Sequence, residues 1–358
     1  MKSILFVIPS MAPAGGIERV VSTIINKISK SYDCSILTFD DLPYFYHVND
    51  KIMKSSLNVD SVLDMKSRAR RIIQVSKLIL LAVIRLRKHF KNNNYDYVYT
   101  THPLNHCILL LAGINHKKIV IGEHGANNNY NLIYRLLKRV TYKYCHAYCL
   151  PTRSDYLFYR EKGLPVKYTP HYKPELPYEM HKQNSKTILC VGRLTADKQH
   201  LLLLKMWKNI INEIPFGWTL HIVGDGELKP ILKDFINKNG LSQSVRLSDS
   251  TKNISKYYID SSFFALTSKS EGFGMVILEA LSFGLPIISF DCPSGPRDMI
   301  NDNNGFLIQP GDEVLYQNTL VKLIKHEKLR KSLTLGALEF AANWNDDNIT
   351  EHWRDVYK

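Results

Sequence analysis

The chain has 358 residues, 45% of them hydrophobic and 22% charged, which excludes a disordered, collagen-like or disulfide-stapled protein. That length suggests roughly two domains, each large enough to bury its own core. The formal charge of +14 comes from 47 Lys+Arg against 33 Asp+Glu, and residues 1–180 hold 26 of those cations against 13 acids. The basic excess therefore belongs to one half of the chain.

Residues 4–8 (Ile-Leu-Phe-Val-Ile) form an apolar run too short for a signal peptide and without a small-residue cleavage site. They read as a first buried strand. Ile17, Val20, Val21, Ile24, Ile25 and Ile28 then recur at helical spacing. Strands are expected at 34–39, 97–100 and 119–122, with basic helices at about 66–91 and 132–144. Prolines 165, 170, 174 and 177 crowd a stretch that reads as a linker. The alternation then restarts, with strands at 187–191, 220–223, 263–267 and 286–290 and helices at 201–212, 228–239 and 275–283. Such alternation specifies α/β structure with parallel sheets flanked by helices. The expected division is 1–172, 173–340 and a terminal segment 341–358. Cysteines 34, 107, 145, 149, 190 and 292 include no C-x-x-C pair, consistent with reduced thiols in a cytosolic protein. The most apolar later stretch, 78–84, falls far short of the roughly 20 residues needed to span a bilayer.

Two glycine-rich turns follow strands and precede helices: Gly15-Gly16 and Gly224-Asp225-Gly226. Small residues there let backbone amides approach a phosphate, although a tight turn alone explains them equally well. Neither is a dinucleotide fingerprint, because Lys229 stands where a third glycine would be needed. There is no G-x-x-x-x-G-K-[ST] either, so a dehydrogenase and a P-loop ATPase are both disfavoured.

The most informative segment runs from Ser270 to Leu281. A strand ends, a glycine-bounded loop carries Glu271, and a helix opens near Gly274 with Glu279 about one turn inside it. Free amides at such a helix start would point to the carboxyl ends of the strands, where open α/β sheets bind ligands. This segment resembles glycosyltransferase family 4, retaining transferases of the GT-B fold, through the E-x7-E pair Glu271 and Glu279 in the setting EGFGxxxLEAL. Val191-Gly192-Arg193-Leu194 with Lys198, Gly224-Asp225-Gly226, Gly15-Gly16-Ile17-Glu18-Arg19 and Glu123-His124 resemble further motifs of that family, in the same order. The resemblance is dense from 187 to 310 and thin from 40 to 115.

It implies two Rossmann-like doubly wound domains with an interdomain cleft, the first taking the acceptor and the second the nucleotide sugar. It assigns Arg193 and Lys198 to the leaving diphosphate and Glu279 to the ribose. Glu271 would meet the hydroxyls of the donor sugar, with the amides of Gly272, Phe273 and Gly274 near the sugar and those of Met275 and Val276 near the phosphate. His124 would sit beside the sugar, and Gly15, Gly16 and Gly224 would line phosphate loops. The terminal helix would pack back on the first domain. Gln199 follows Lys198 where the family usually has glycine, which implies a different local backbone. Leu247-Ser248-Asp249 replaces a common aromatic-x-glycine near the base pocket, leaving the base open with a weak preference for UDP.

No D-x-D occurs, so a metal-independent transfer without a cofactor is expected, two cations and a helix end replacing the metal clamp. A glycosidase is disfavoured, because carboxylates eight positions apart are poorly placed to flank a bond. Residues 66–91 hold nine Lys+Arg and no acid, and Arg135, Lys138, Arg139 and Lys143 form a second basic patch. Together they suit an anionic membrane surface, and no motif for nucleic acid accompanies them. The expected enzyme moves a hexose or N-acetylhexosamine to a lipid-linked saccharide in bacterial O-antigen, capsule or exopolysaccharide assembly, from the cytoplasmic face of the membrane. A GT-B epimerase and a non-catalytic nucleotide-sugar-binding subunit are the alternatives.

Overall fold

The computed structural model describes residues 1–59, 68–125 and 132–358. The chain divides into two compact units, Met1–Pro174 with Asp346–Lys358, and Glu175–Asn345. In the first unit β1 (Ser3–Ile8), α1 (Gly16–Ile28), β2 (Asp33–Thr38), β3 (Met53–Ser56), α2 (Arg68–Asn92), β4 (Tyr97–Thr101), α3 (Pro103–Leu111), β5 (Ile119–Gly122), α4 (Leu132–Thr141), β6 (Ala147–Leu150), α5 (Arg153–Glu161) and β7 (Val166–Tyr168) follow in turn. The second unit runs β8 (Thr187–Val191), α6 (His200–Ile210), β9 (Thr219–Val223), α7 (Lys229–Lys238), β10 (Val245–Ser248), α8 (Ser255–Ile259), β11 (Phe263–Leu266), α9 (Met275–Ser282), β12 (Ile287–Phe290), α10 (Pro296–Met299), β13 (Gly305–Ile308), α11 (Glu313–Lys325) and α12 (Glu327–Asn343). The chain then returns to the first unit as α13 (Asp346–Val356).

The first sheet has the order β3-β2-β1-β4-β5-β6-β7 and the second β10-β9-β8-β11-β12-β13. Every strand pair in both is parallel. Parallel strands are covered on both faces and need nearly continuous apolar runs. Ile4 to Ile8 in β1 and Phe263 to Leu266 in β11 supply them, and all are buried. Trp207 of α6 and Tyr316 of α11 fill one side of the second sheet, and Ile277, Leu278 and Leu281 of α9 the other.

Three local expectations change. Ile17 lies exposed rather than on the buried stripe of α1. The proline-crowded stretch is not all linker, because Val166–Tyr168 pairs with β6 as an edge strand, where a preceding proline costs no ladder hydrogen bond. The terminal helix starts at Asp346, since 341–343 still belong to α12. Ile349, Trp353 and Val356 of α13 are buried, and the Trp353 ring lies 6.0 Å from that of Tyr99. Lys27 pairs with Asp346 at 3.1 Å, and His146 Nε2 lies 2.8 Å from Val356 O. Burying one such large apolar side chain is worth about 3 kcal/mol. All six cysteines are free thiols.

Candidate functional site

In the second sheet β8 lies beside both β9 and β11, so the winding reverses there and leaves a crevice outside the carboxyl ends of those strands. Three loops converge on it. The loop after β8 crosses the loop after β9, with Gly192 N donating to Val223 O at 3.1 Å and Leu194 N to Asp225 O at 2.8 Å. A Cβ on Gly224 would lie 1.9 Å from Gly192 O, so only glycine permits this crossing. Arg193 is exposed at the turn and makes no ion pair among the described residues.

Lys198 ends a short 3-10 turn, and Gln199 after it adopts φ 53, ψ 33. Gln199 thus holds the left-handed conformation that ordinarily favours glycine. Holding a non-glycine residue there costs about 1–2 kcal/mol. The opposing loop supplies the restraint: Thr267 Oγ1 donates to Lys198 O at 3.1 Å and to Gln199 O at 3.3 Å, and Lys269 N donates to Asp197 O at 2.7 Å.

The same loop carries Glu271, which is 7% exposed. Its Oε1 accepts from Lys198 Nζ at 2.7 Å and from Ser268 Oγ at 2.6 Å. An isolated β-bridge ties Glu271 to Ser294, and a Cβ on Gly295 would lie 1.7 Å from Phe273 O. Gly274 takes φ 87 and opens α9 with no side-chain cap. Gly272, Met275 and Val276 remain partly exposed there, so the first-turn amides and the positive end of the helix dipole can receive an anion. One turn further in, Glu279 is fully buried, and Tyr258 Oη donates to its Oε2 at 2.9 Å.

Structure thus brings Arg193, Lys198, Gly224, Glu271 and the start of α9 into one loop cluster, with Glu279 beneath it. Asp225, near Gly224, accepts from Lys229 Nζ and from Ser250 N and Oγ, hydrogen bonds that lower its pKa to about 2. Thr267, Ser268 and Gly295 escaped sequence reasoning; Ser268, three residues before Glu271, was the visible signal. A hydroxyl at that spacing can reach back to a carboxylate in a loop.

The remaining expected residues lie in the first unit. Gly15 caps α1, and a Cβ on Gly16 would meet nothing within 4 Å, so no protein contact demands glycine there. His124 follows β5, its Nε2 lies 3.1 Å from Tyr99 Oη, and its ring stacks on His171 with centroids 5.4 Å apart. Burial lowers its pKa to about 4, partly offset by the charge of Glu123. Lys138, expected on a surface patch, is instead buried in an ion pair with Glu123, because α4 turns that lysine inward. Arg85 and Arg87 are likewise engaged with the protein's own carbonyls: Arg85 with those of Leu57 and Asn58, and Arg87 with that of Leu111 at 2.8 Å. Lys66 lies outside the described residues, as do the side chains of Arg68, Arg70 and Arg71.

Comparison with known proteins agrees with this fold. A family model described as Glycosyltransferase Family 4 matches residues 14–185, and one described as Glycosyl transferases group 1 matches residues 185–326. The chain belongs to glycosyltransferase family 4. The amylovoran biosynthesis glycosyltransferase AmsD of Erwinia amylovora is 29% identical, over 99% of both chains. An alpha-1,4-N-acetyl-D-galactosaminyltransferase of Campylobacter jejuni, named for a saccharide on diphospho-undecaprenol, is 26% identical over 99% of this chain and 97% of its own. Among solved structures, a variant of S. aureus TarM with fondaparinux, alpha-GlcNAc-glycerol and UDP superposes with a TM-score of 0.83. It is 14% identical and covers 100% of each chain. The fold of this family-4 glycosyltransferase is GT-B.

Buried histidines give the enzyme a pH signature. Burial lowers His106, His124 and His200 to about 4, and holds His171 well below the ordinary value of 6.5. The native state keeps them neutral, so below pH 6.5 the unfolded chain binds more protons and stability falls as pH drops towards 4. Each contributes up to about 1.4 kcal/mol per pH unit in that window. Thermal unfolding followed at pH 7.5 and 5.0 is expected to show a clearly lower Tm at the acid value; an unchanged Tm would show that these imidazoles are solvated.

Proposed function

We propose that this glycosyltransferase moves a hexose or N-acetylhexosamine from a nucleotide sugar, with UDP favoured, to a lipid-linked saccharide acceptor in bacterial surface polysaccharide assembly. The observation that carries this is the Lys198–Glu271 pair at 2.7 Å, set beside exposed Arg193 and the uncapped start of α9. A cation, a second cation and a helix end can together receive a diphosphate, since charge-assisted hydrogen bonds to phosphate are about twice as strong as neutral ones. Relatives support this reading: the Campylobacter enzyme is named for an undecaprenyl-diphosphate saccharide and the Erwinia enzyme for amylovoran biosynthesis.

In this mechanism Arg193 and Lys198 neutralise the diphosphate as its bond to the anomeric carbon breaks. The acceptor hydroxyl attacks the same face, and a leaving phosphate oxygen takes its proton, so the anomeric configuration is retained. Glu271 holds sugar hydroxyls, Glu279 the ribose, and His124 steadies the sugar. The amides of Gly272, Phe273 and Gly274 serve the sugar, those of Met275 and Val276 the phosphate, and Gly15, Gly16 and Gly224 leave room for it. Two cations and a helix end make the reaction metal-independent.

The first unit attaches the enzyme peripherally to the inner face of the cell membrane. No described helix is long and apolar enough to cross a membrane. However, Leu132, Leu136 and Val140 of α4 recur every four residues at 74%, 60% and 58% exposure, beside exposed Arg135 and Arg139. A surface of that kind suits anionic lipid, each well-placed cation adding about 1 kcal/mol.

Two measurements test this. UDP at a hundredfold excess over Kd should stabilise the enzyme by about 2.7 kcal/mol, equally with and without EDTA, and Lys198→Ala should weaken UDP binding roughly ten- to a hundredfold. A shift abolished by EDTA would overturn metal independence, and none at all would overturn the phosphate site. In flotation at moderate salt, the protein should rise with vesicles containing phosphatidylglycerol and not with phosphatidylcholine alone, and Leu136→Glu should reduce the bound fraction severalfold. Failure of the wild type to float with anionic vesicles would remove the membrane attachment.

A further inference from the structure

The inward turn of Lys138 leads to a second built feature. Glu123 and Lys138 are both almost fully buried, and two buried charges are costly unless every lone pair and proton is used. Here they are used. Glu123 Oε2 accepts from Lys138 Nζ and from Tyr148 Oη, while Lys138 Nζ also donates to Tyr159 Oη at 3.0 Å. The ammonium lies 5.0–5.8 Å from the ring centres of Tyr142, Tyr148 and Tyr159. Burial alone would depress the lysine's pKa, but the Glu123 charge and these hydrogen bonds outweigh it, and the value rises.

The other carboxylate oxygen shows what this investment holds. Glu123 Oε1 accepts from the backbone amides of His124 and Gly125, both at 3.1 Å. On the ring side, Tyr99 Oη is fixed 3.1 Å from His124 Nε2. That pair can form only because residue 122 is glycine: a Cβ there would lie 1.8 Å from Tyr99 Oη and 3.0 Å from His124 Nε2. A buried ion pair kept for stability alone could be replaced, both partners together, by apolar side chains of similar volume with little loss. This pair keeps charged a carboxylate whose remaining oxygen grips the backbone amides of His124 and Gly125.

We propose that Glu123, Lys138, Tyr148, Tyr99 and Gly122 are positioning residues that fix His124, from its backbone and from its ring, in the place where it steadies the donor sugar. This deepens the reading of His124 given above and rests on it. Displacement of such a group by about 1 Å costs on the order of a hundredfold in rate, while the diphosphate site in the second unit is untouched.

The test uses the full chain with donor and acceptor, and compares Tyr99→Phe, Tyr148→Phe and His124→Ala for kcat, donor KM, Kd for UDP and Tm. Tyr99→Phe should lower kcat about ten- to a hundredfold, and Tyr148→Phe by a smaller factor, with UDP affinity within about twofold of wild type. A merely structural role would instead lower Tm and leave kcat of the folded protein unchanged. If His124→Ala is impaired while both phenylalanine variants keep wild-type kcat, the positioning inference is wrong and the role of His124 stands. If His124→Ala keeps full kcat, that role itself is wrong. Glu123→Gln combined with Lys138→Met removes both buried charges together, so restored Tm with depressed kcat would separate positioning from folding.

Discussion

One ion pair organises the second unit. Glu271 and Lys198 give up most of their water, and removing one partner of a buried pair leaves an uncompensated charge worth about 3–5 kcal/mol. Neither residue sits on an α-helix or a strand of a sheet, so the pair exists only because two loops are locked together. Thr267 binds the carbonyls of Lys198 and Gln199, Ser268 shares Glu271 Oε1, and Ser294 bridges Glu271. The glycines follow from the same requirement: 224 and 295 stand where a side chain would collide with a crossing backbone. What results is a carboxylate and an ammonium held against each other at the carboxyl end of β8 and β11. A diphosphate entering such a site has a cation to meet, and a sugar has an oriented carboxylate.

Much of this was legible in the chain because it is local. The parallel sheets follow from apolar runs of four to six residues, and the E-x7-E pair lies on one loop and the helix it opens. What escaped depends on rotation and on partners far apart in sequence. Lys138 and Arg139 are neighbours in the same basic stretch, yet α4 turns one into a buried tyrosine cage and leaves the other in water. β3, reading Met-Lys-Ser-Ser, carries no apolar pattern because it is an edge strand. Gln199 shows the same dependence on distant partners. Its residue type is unsuited to a left-handed turn, yet Thr267, some seventy positions away, holds the turn in place.

The charge excess of the first half also divides once side chains are placed. Some cations are engaged by the protein itself: buried Lys138 neutralises Glu123, and Arg85 and Arg87, although not buried, donate to backbone carbonyls. Others stand exposed on α4 beside an apolar stripe. Net charge alone could not separate a lysine buried against Glu123 from an arginine exposed beside an apolar stripe, although the two residues are adjacent.

The central claim is a metal-independent transfer with retention, run from the Lys198–Glu271 loop cluster. Its most direct test is the anomeric configuration of the product. An α-linked UDP-hexose or UDP-N-acetylhexosamine would be incubated with enzyme, EDTA and a lipid-linked saccharide, and the isolated product examined by NMR. An α-linked disaccharide formed in the presence of EDTA is the predicted result. A β-linked product, or free sugar released without any acceptor, would contradict the assigned chemistry.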